Sequence, residues 1–128
     1  MAKVSVRYIV DDVDKAIAFY VEHLGFGVAM HPAPAFAMLD RGDLRLLLSA
    51  PNPEGGGGQA MPDGTVPAPG GWNRISLQVD DLEGMVRVLR EKNVRFRNAI
   101  VHGIGGDQIL VEDPAGNCVE LFQPKGQG

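Results

Sequence analysis

Alternation of apolar and polar residues predicts a β-strand at the start of the chain, followed by a helix. One face of residues 4–10 is apolar, with Val4, Val6, Tyr8 and Val10, and the other carries Ser5, Arg7 and Ile9. Asp11 and Asp12 follow, and either carboxylate can cap a helix. Apolar residues then recur at helical spacing, at Val13, Ala16, Ile17, Tyr20, Val21 and Leu24. Gly25 is placed to end this helix in a left-handed conformation.

The same order of elements occurs twice. Extended segments are predicted at about 26–31, 35–40 and 43–50. Residues 73–80 then alternate again, Asp80 and Asp81 are candidate caps for a second helix, and extended segments follow at about 95–102, 107–112 and 118–123. The strings VDDV at Val10 and VDDL at Val79 mark the repeat. The pattern predicts an α+β fold of tandem βαβββ modules, at residues 1–50 and 73–128, within one structural unit.

Residues 51–72 separate the modules. The segment is dominated by Gly and Pro and has no hydrophobic period. This composition is typical of a flexible linker, and a mobile flap over a pocket is the alternative.

Composition narrows the classes of protein. The chain has 128 residues and a net charge of −4, which suits a soluble domain and disfavours nucleic-acid binding. We find no apolar run long enough to span a bilayer and no secretory signal, so no membrane partner is expected. Cys118 is the single cysteine, which excludes an intrachain disulfide and favours the cytoplasm.

The strand alternation also separates a core face from a mixed face. The core face, expected to pack under the helices, carries Val4, Val6, Tyr8, Leu44, Leu46, Leu48, Ile75, Leu77, Val79, Val119 and Leu121. The mixed face carries Ser5, Arg7, Arg45, Leu47, Ser49, Arg74, Ser76, Gln78, Cys118, Glu120 and Phe122. Such a face is either solvated or the lining of a ligand cavity, and its apolar members favour a cavity.

Two motifs resemble a known family. The segment AIAFYVEHLGF in the first helix and EDPAGNCVELFQP near the end, with the paired modules, closely resemble the vicinal oxygen chelate superfamily. That superfamily includes glyoxalase I, extradiol dioxygenases and bleomycin-binding resistance proteins. The resemblance implies mixed sheets that curl into an incomplete barrel around a cavity, with the helices outside, and a homodimer.

The resemblance also identifies the family's metal positions. Metal-dependent members take ligands from the first and last strands of each module. Here the matching residues are Ser5, Leu47, Arg74 and Glu120, so only the glutamate remains. A divalent ion needs several N or O ligands, and a neighbouring guanidinium repels it. We therefore expect no metal and no other cofactor, and a charge-assisted hydrogen bond between Arg74 and Glu120 instead.

A small-molecule cavity would draw on both modules. The candidate ligand-binding residues are Arg7, Phe36, Met38, Arg45, Leu47, Trp72, Arg74, His102, Glu120 and Phe122. Their three mixed-face arginines outnumber the single glutamate, which favours an anionic or electron-rich ligand. His23 is interpreted as a surface residue near the end of the first helix and His31 as structural, whereas His102 is a candidate to reach the cavity.

Two functions remain open, and a third is weaker. The first is a metal-free protein that binds or sequesters a small aromatic or anionic natural product. The second is a metal-independent isomerase, lyase or cyclase, with Glu120 as base and Arg74 stabilising an oxyanion. Pairing with Arg74 would make Glu120 a poorer proton acceptor, so binding ranks first. Metal-dependent lyase or dioxygenase chemistry lacks the necessary ligands.

Overall fold

Two compact units make up the chain in the computed structural model, which describes residues 3–54 and 56–126. The first unit ends at Gly70 and the second begins at Gly71. Each unit has one sheet and one α-helix. No helix among the described residues is both long and apolar enough to cross a membrane.

The first unit contains a four-stranded mixed sheet. Its elements are β1 (Val4–Ile9), α1 (Val13–Leu24), β2 (Gly27–Ala33), β3 (Phe36–Arg41) and β4 (Leu44–Ser49). The strand order is β1-β4-β3-β2, in which β1 and β4 are parallel and the other pairs antiparallel. The last strand therefore lies in the middle of the sheet, beside the first.

Helix α1 begins and ends as its sequence predicts. Asp12 is the N-cap and accepts a hydrogen bond from the Lys15 backbone N–H at 3.1 Å. Gly25 is the C-cap with φ of 75°, the left-handed region that glycine enters at little cost. The buried face differs slightly from the prediction, because Phe19 is buried and Val21 is exposed.

The core face of the sheet is largely confirmed. Of the residues predicted there, Leu46 and Leu48 are fully buried and Tyr8 is nearly so. Val6 and Leu44 on the same face are half-buried. Val4 is an exception, because it lies at the end of an edge strand and remains exposed.

The second unit repeats the order of elements. It contains β5 (Ile75–Gln78), α2 (Leu82–Glu91), β6 (Arg95–Phe96), β7 (Val101–His102), β8 (Gly106–Glu112) and β9 (Cys118–Pro124). The path through its sheet is β5-β9-β8-β6, with β7 also paired to β8 and with β5 parallel to β9. Asp81, and not Asp80, is the N-cap of α2, and it accepts from the Gly84 backbone N–H at 3.0 Å.

One predicted strand is wrong in detail. Residues 95–102 form two short strands, β6 and β7, instead of one. Between the two strands, Asn98 Oδ1 accepts a hydrogen bond from Leu110 N at 2.9 Å. In a continuous strand a backbone carbonyl would accept this bond, so the side chain interrupts the backbone ladder.

The segment between the modules is partly structured in the first unit. Gly56–Gly58 form a 3-10 turn, and the Asn52 N–H donates to Gly58 O at 3.1 Å. Met61 N donates to Thr65 O at 2.8 Å further along.

The α+β class is confirmed, with two helices and two mixed sheets of four and five strands. Each sheet is open, because each ends in edge strands. The module boundaries given by the sequence remain a prediction.

Candidate functional site

The mixed face of the first sheet has its side chains in three rows. Ser5, Arg45 and Asp40 are aligned in one row. Arg7, Leu47 and Met38 form the next. Ile9, Ser49 and Phe36 form the third. The predicted residues of this module therefore share one face, as their alternation requires.

A cavity of about 390 Å³ lies at the third row. It is lined by Arg7, Pro32, Ala33, Ala35, Phe36, Ser49, Asn52, Gly57 and Gly58. Of the predicted ligand-binding residues in this unit, Arg7 and Phe36 line the cavity. Met38, Arg45 and Leu47 lie on the same sheet face but are not among the residues that line it.

Arg45 is already paired within the sheet. Its Nε donates to Asp40 Oδ1 at 3.3 Å, and Lys3 Nζ lies 3.4 Å from Asp40 Oδ2. Asp40 is a carboxylate on the mixed face, and the prediction of three arginines against one glutamate did not include it. The alternation could have placed it on this face, because it is two residues from Met38 on β3. The mixed face of this sheet therefore carries less net positive charge than the sequence predicted.

In the second unit, Glu120 is held by several donors. Arg74, one residue before β5, donates to Glu120 Oε1 from Nε at 3.1 Å and from Nη2 at 2.9 Å. Ser76 Oγ donates to Oε2 at 2.8 Å. The Gln108 side-chain amide fits its surroundings when its nitrogen faces this carboxylate, and the nitrogen then donates to Oε1 at 2.8 Å. The Glu120 side chain is 16% exposed, so these bonds replace most of its water.

The strand register explains this cluster. Ser76 and Leu110 flank Glu120 on the neighbouring strands, and Gln108 is two residues from Leu110 on β8. Gln108 therefore points to the same face as Glu120 and was missed only because β8 was not divided into faces. Phe122 is on that face too, in register with Gln78 and Gln108.

Trp72 contacts Arg97, which is not among the predicted site residues. The Arg97 guanidinium carbon is 4.7 Å from the centre of the Trp72 ring. The same guanidinium donates to Glu112 Oε2 at 2.9 Å, to Gly71 O at 2.8 Å and to Gly116 O at 3.0 Å. Trp72 is 69% exposed, and its carbonyl oxygen accepts from Arg74 Nη1 at 3.4 Å. Nothing in the sequence pattern distinguishes Arg97 from the other arginines.

The turn between β8 and β9 accounts for the DPAGN motif. Asp113 is fully buried, and its Oδ1 accepts from the backbone N–H groups of Ala115 and Asn117, each at 2.9 Å. Asn117 Nδ2 donates to Asp113 Oδ2 at 3.1 Å, and Gly116 has φ of 91°. The motif therefore stabilises the turn that leads β9, with Glu120, back into the sheet.

His102 lies apart from Glu120. It is on the short strand β7, with Nδ1 3.0 Å from Asp107 Oδ1, and its side chain is mostly exposed. Its register partner is Asp107, on the opposite face of β8 from Gln108.

These positions do not fit the metal that the family resemblance implies. Glu120 already accepts bonds from Arg74, Ser76 and Gln108, and Ser5 and Leu47 offer no strong ligand. Within residues 3–54 and 56–126, no three His, Cys, Asp or Glu side chains are grouped to hold an ion.

The paired βαβββ units and the glutamate on the last strand define a glyoxalase-like fold. A profile of the Glyoxalase/Bleomycin resistance protein/Dioxygenase superfamily matches residues 4–121, and the chain belongs to that superfamily. No curated protein matches the chain in sequence.

Solved structures agree with this assignment. A superfamily member from Sphaerobacter thermophilus DSM 20745 is 27% identical, with a TM-score of 0.75 over 96% of this chain and 97% of the other. TnmS3, an antibiotic binding protein from Streptomyces sp. CB03234, is 25% identical, with a TM-score of 0.73 over 98% and 97%. A lactoylglutathione lyase from Agrobacterium tumefaciens is 22% identical, with a TM-score of 0.73 over 99% and 96%, and shows the same fold.

Proposed function

We propose that this protein binds a small organic molecule without a metal ion and returns it unchanged. The observation that supports the proposal is the hydrogen bonding of Glu120. Its two oxygens receive bonds from Arg74, Ser76 and Gln108, so the family's glutamate acts as part of the sheet and not as a metal ligand. Binding needs only shape, apolar walls and a few donors, which the first-unit cavity supplies.

The same geometry counts against Glu120 as a general base. A base must present an oxygen to the substrate proton, and here each oxygen faces a donor of the protein. Arg74 is likewise turned to Glu120, which leaves less of its guanidinium for an oxyanion.

The ligand class we propose is an aromatic or anionic natural product, bound for sequestration or resistance. The similarity to TnmS3, which is described as an antibiotic binding protein, supports a binding role of this kind. We further propose that the protein acts in the cytoplasm as a homodimer, which light scattering on the purified protein would test.

The experiment combines elemental analysis with a thermal-shift screen. Purified protein is screened against divalent ions and against a library of small carboxylates and phenolic compounds, and each bound compound is recovered and analysed by mass spectrometry. We expect no stoichiometric metal, stabilisation by an aromatic or anionic compound, and recovery of that compound unchanged.

Other outcomes would replace the proposal by an enzyme. Turnover that Glu120→Gln abolishes and Glu91→Gln leaves intact would establish the metal-independent reaction, since Glu91 is an exposed glutamate at the end of α2. Activity lost on chelation and restored by a divalent ion would establish a metal-dependent one.

A further inference from the structure

Two polar groups in the first-unit cavity have no partner among the described residues. Arg7 takes part in no hydrogen bond or ion pair within residues 3–54 and 56–126. The Ser49 hydroxyl is buried and also lacks a hydrogen-bond partner there, and the residue is only 2% exposed. Ser49 is the informative group of the two, because a buried hydroxyl without a partner costs free energy and so points to a ligand, whereas Arg7 is exposed.

Both groups lie against the same glycine. A Cβ atom built on Gly57 would overlap Arg7 Nη1 and would lie 2.8 Å from Ser49 Oγ. The guanidinium and the hydroxyl are therefore close to each other, on one wall of the cavity. Only glycine allows the backbone to come so near to both.

The charge at the cavity is positive. Arg7 is the only charged residue among those that line it. Asn52 offers little to a ligand, because its Nδ2 donates to Ala50 O at 2.8 Å and its Oδ1 accepts from Glu54 N at 2.9 Å. The lining side chains with a polar group that has no partner among the described residues are therefore Arg7 and Ser49.

The rest of the lining is apolar and held by backbone hydrogen bonds. Pro32, Ala33, Ala35 and Phe36 supply the apolar wall. Ala50 N donates to Ala35 O at 2.9 Å and Asn52 N donates to Gly58 O at 3.1 Å, which fixes the two sides of the cavity. A volume of about 390 Å³ accepts a molecule with one or two rings.

We infer that this cavity binds the carboxylate of a small aromatic acid. The guanidinium fork of Arg7 matches the planar carboxylate, the Ser49 hydroxyl donates a further bond, and the ring lies against Phe36. A carboxylate carries one negative charge, which one guanidinium balances. The inference rests on the proposed binding function and gives its ligand class.

The test uses 2-naphthoate, with 2-naphthamide as the neutral analogue of the same shape. Calorimetric titration of the full chain should show that the acid binds at least tenfold more tightly than the amide. Arg7→Gln should abolish this preference. Arg41→Gln should preserve it, because Arg41 is in the same sheet but on the opposite face from Phe36 and Met38.

Ser49→Ala is the second variant, in case Arg7→Gln does not fold. We expect it to weaken binding of the acid several-fold and binding of the amide less, because a hydroxyl donates a stronger bond to a carboxylate oxygen than to a neutral carbonyl. Backbone NMR signals of Ala33 and Ala35 should shift on titration with the acid.

Failure of the inference can be told apart from failure of the proposed function. If 2-naphthoate binds equally well to the wild type and Arg7→Gln, or if the screen yields only neutral ligands, the carboxylate site is wrong and the binding function stands. If the protein binds no organic compound and shows metal-restored turnover, both are wrong.

Discussion

Arg74 and Glu120 meet at a single oxygen atom, since Nε and Nη2 of the arginine both donate to Oε1 of the glutamate, at 3.1 and 2.9 Å. Ser76 takes the second oxygen at 2.8 Å. The sequence places the arginine 46 residues before the glutamate, and the parallel pairing of β5 with β9 brings them together. A carboxylate in a mostly apolar strand is thus explained by its donors.

Arg74→Gln should destabilise the second unit. The change leaves Glu120 charged, largely covered and without its strongest donor, which typically costs about 1–3 kcal/mol. Urea denaturation at neutral pH would measure the loss in the free energy of unfolding. The double variant Arg74→Gln/Glu120→Gln should recover part of it, because the charge that needed a partner is then gone.

Arg87→Gln is the control for this prediction. Arg87 lies on the exposed face of α2, so its loss should change stability by less than about 0.5 kcal/mol. Equal effects of the Arg74 and Arg87 changes would mean that the Glu120 cluster contributes nothing to stability.

The sequence predicted the fold well because its signals are local. Alternation, the Asp12 cap and the Gly25 stop each act within a few residues, so strand and helix positions could be assigned without knowing the pairing. The single strand at 95–102 was wrong because the break depends on Asn98 bonding to Leu110 on another strand. Such tertiary bonds leave no local pattern.

The candidate site was only partly predictable, for the same reason. Alternation placed Arg7, Ser49 and Glu120 on mixed faces, and the family resemblance identified Glu120. Neither signal shows that Asp40 neutralises Arg45, because that needs the β3–β4 register. Gly57 lies in a segment without periodicity, so only the folded structure reveals its approach to Arg7 and Ser49.

Arg97→Lys should loosen Trp72, the only tryptophan of the chain. Lysine cannot make the three hydrogen bonds by which Arg97 joins Glu112, Gly71 and Gly116, and it presents no planar group to the indole. Acrylamide should then quench the tryptophan fluorescence more strongly. Arg90→Lys removes a comparable contact with Phe96 and should leave the quenching unchanged. Identical quenching in both variants would contradict this role of Arg97.

Asp113→Ala should destabilise the protein by roughly 2–4 kcal/mol, because it leaves the N–H groups of Ala115 and Asn117 and the Asn117 amide without their acceptor. Chemical denaturation would measure the change. Asp80→Ala, which alters an exposed carboxylate beside α2, should have little effect. A small loss at Asp113 would show that water replaces the carboxylate in the turn.

Stability should fall at alkaline pH because of Cys118. Burial raises the pKa of its thiol above the ordinary value of 9.0. From about pH 9 upward the unfolded chain therefore loses this proton while the folded protein keeps it, and the free energy of unfolding falls with rising pH. Below that pH both states are protonated and the contribution is constant. Urea midpoints at pH 8 and pH 10 should differ more for the wild type than for Cys118→Ala, and equal differences would contradict the raised pKa.

Ser49→Ala and Ser76→Ala make the same chemical change at two hydroxyls in opposite situations. Ser49 Oγ is buried without a partner among the described residues, whereas Ser76 Oγ donates to Glu120 Oε2 at 2.8 Å. Removal of the first should stabilise the ligand-free protein by about 1 kcal/mol, because the cost of desolvating an unpaired group disappears. Removal of the second should destabilise it by a similar amount. Thermal melts would show the two midpoints moving in opposite directions.

With saturating 2-naphthoate the stability gained by Ser49→Ala should shrink, because the wild-type hydroxyl then gains a partner and the ligand stabilises the wild type more. If Ser49→Ala raises the midpoint only in the absence of ligand, the ligand supplies the hydrogen-bond partner that the hydroxyl lacks in the free protein. If Ser49→Ala lowers the midpoint, the hydroxyl already has a partner in solution.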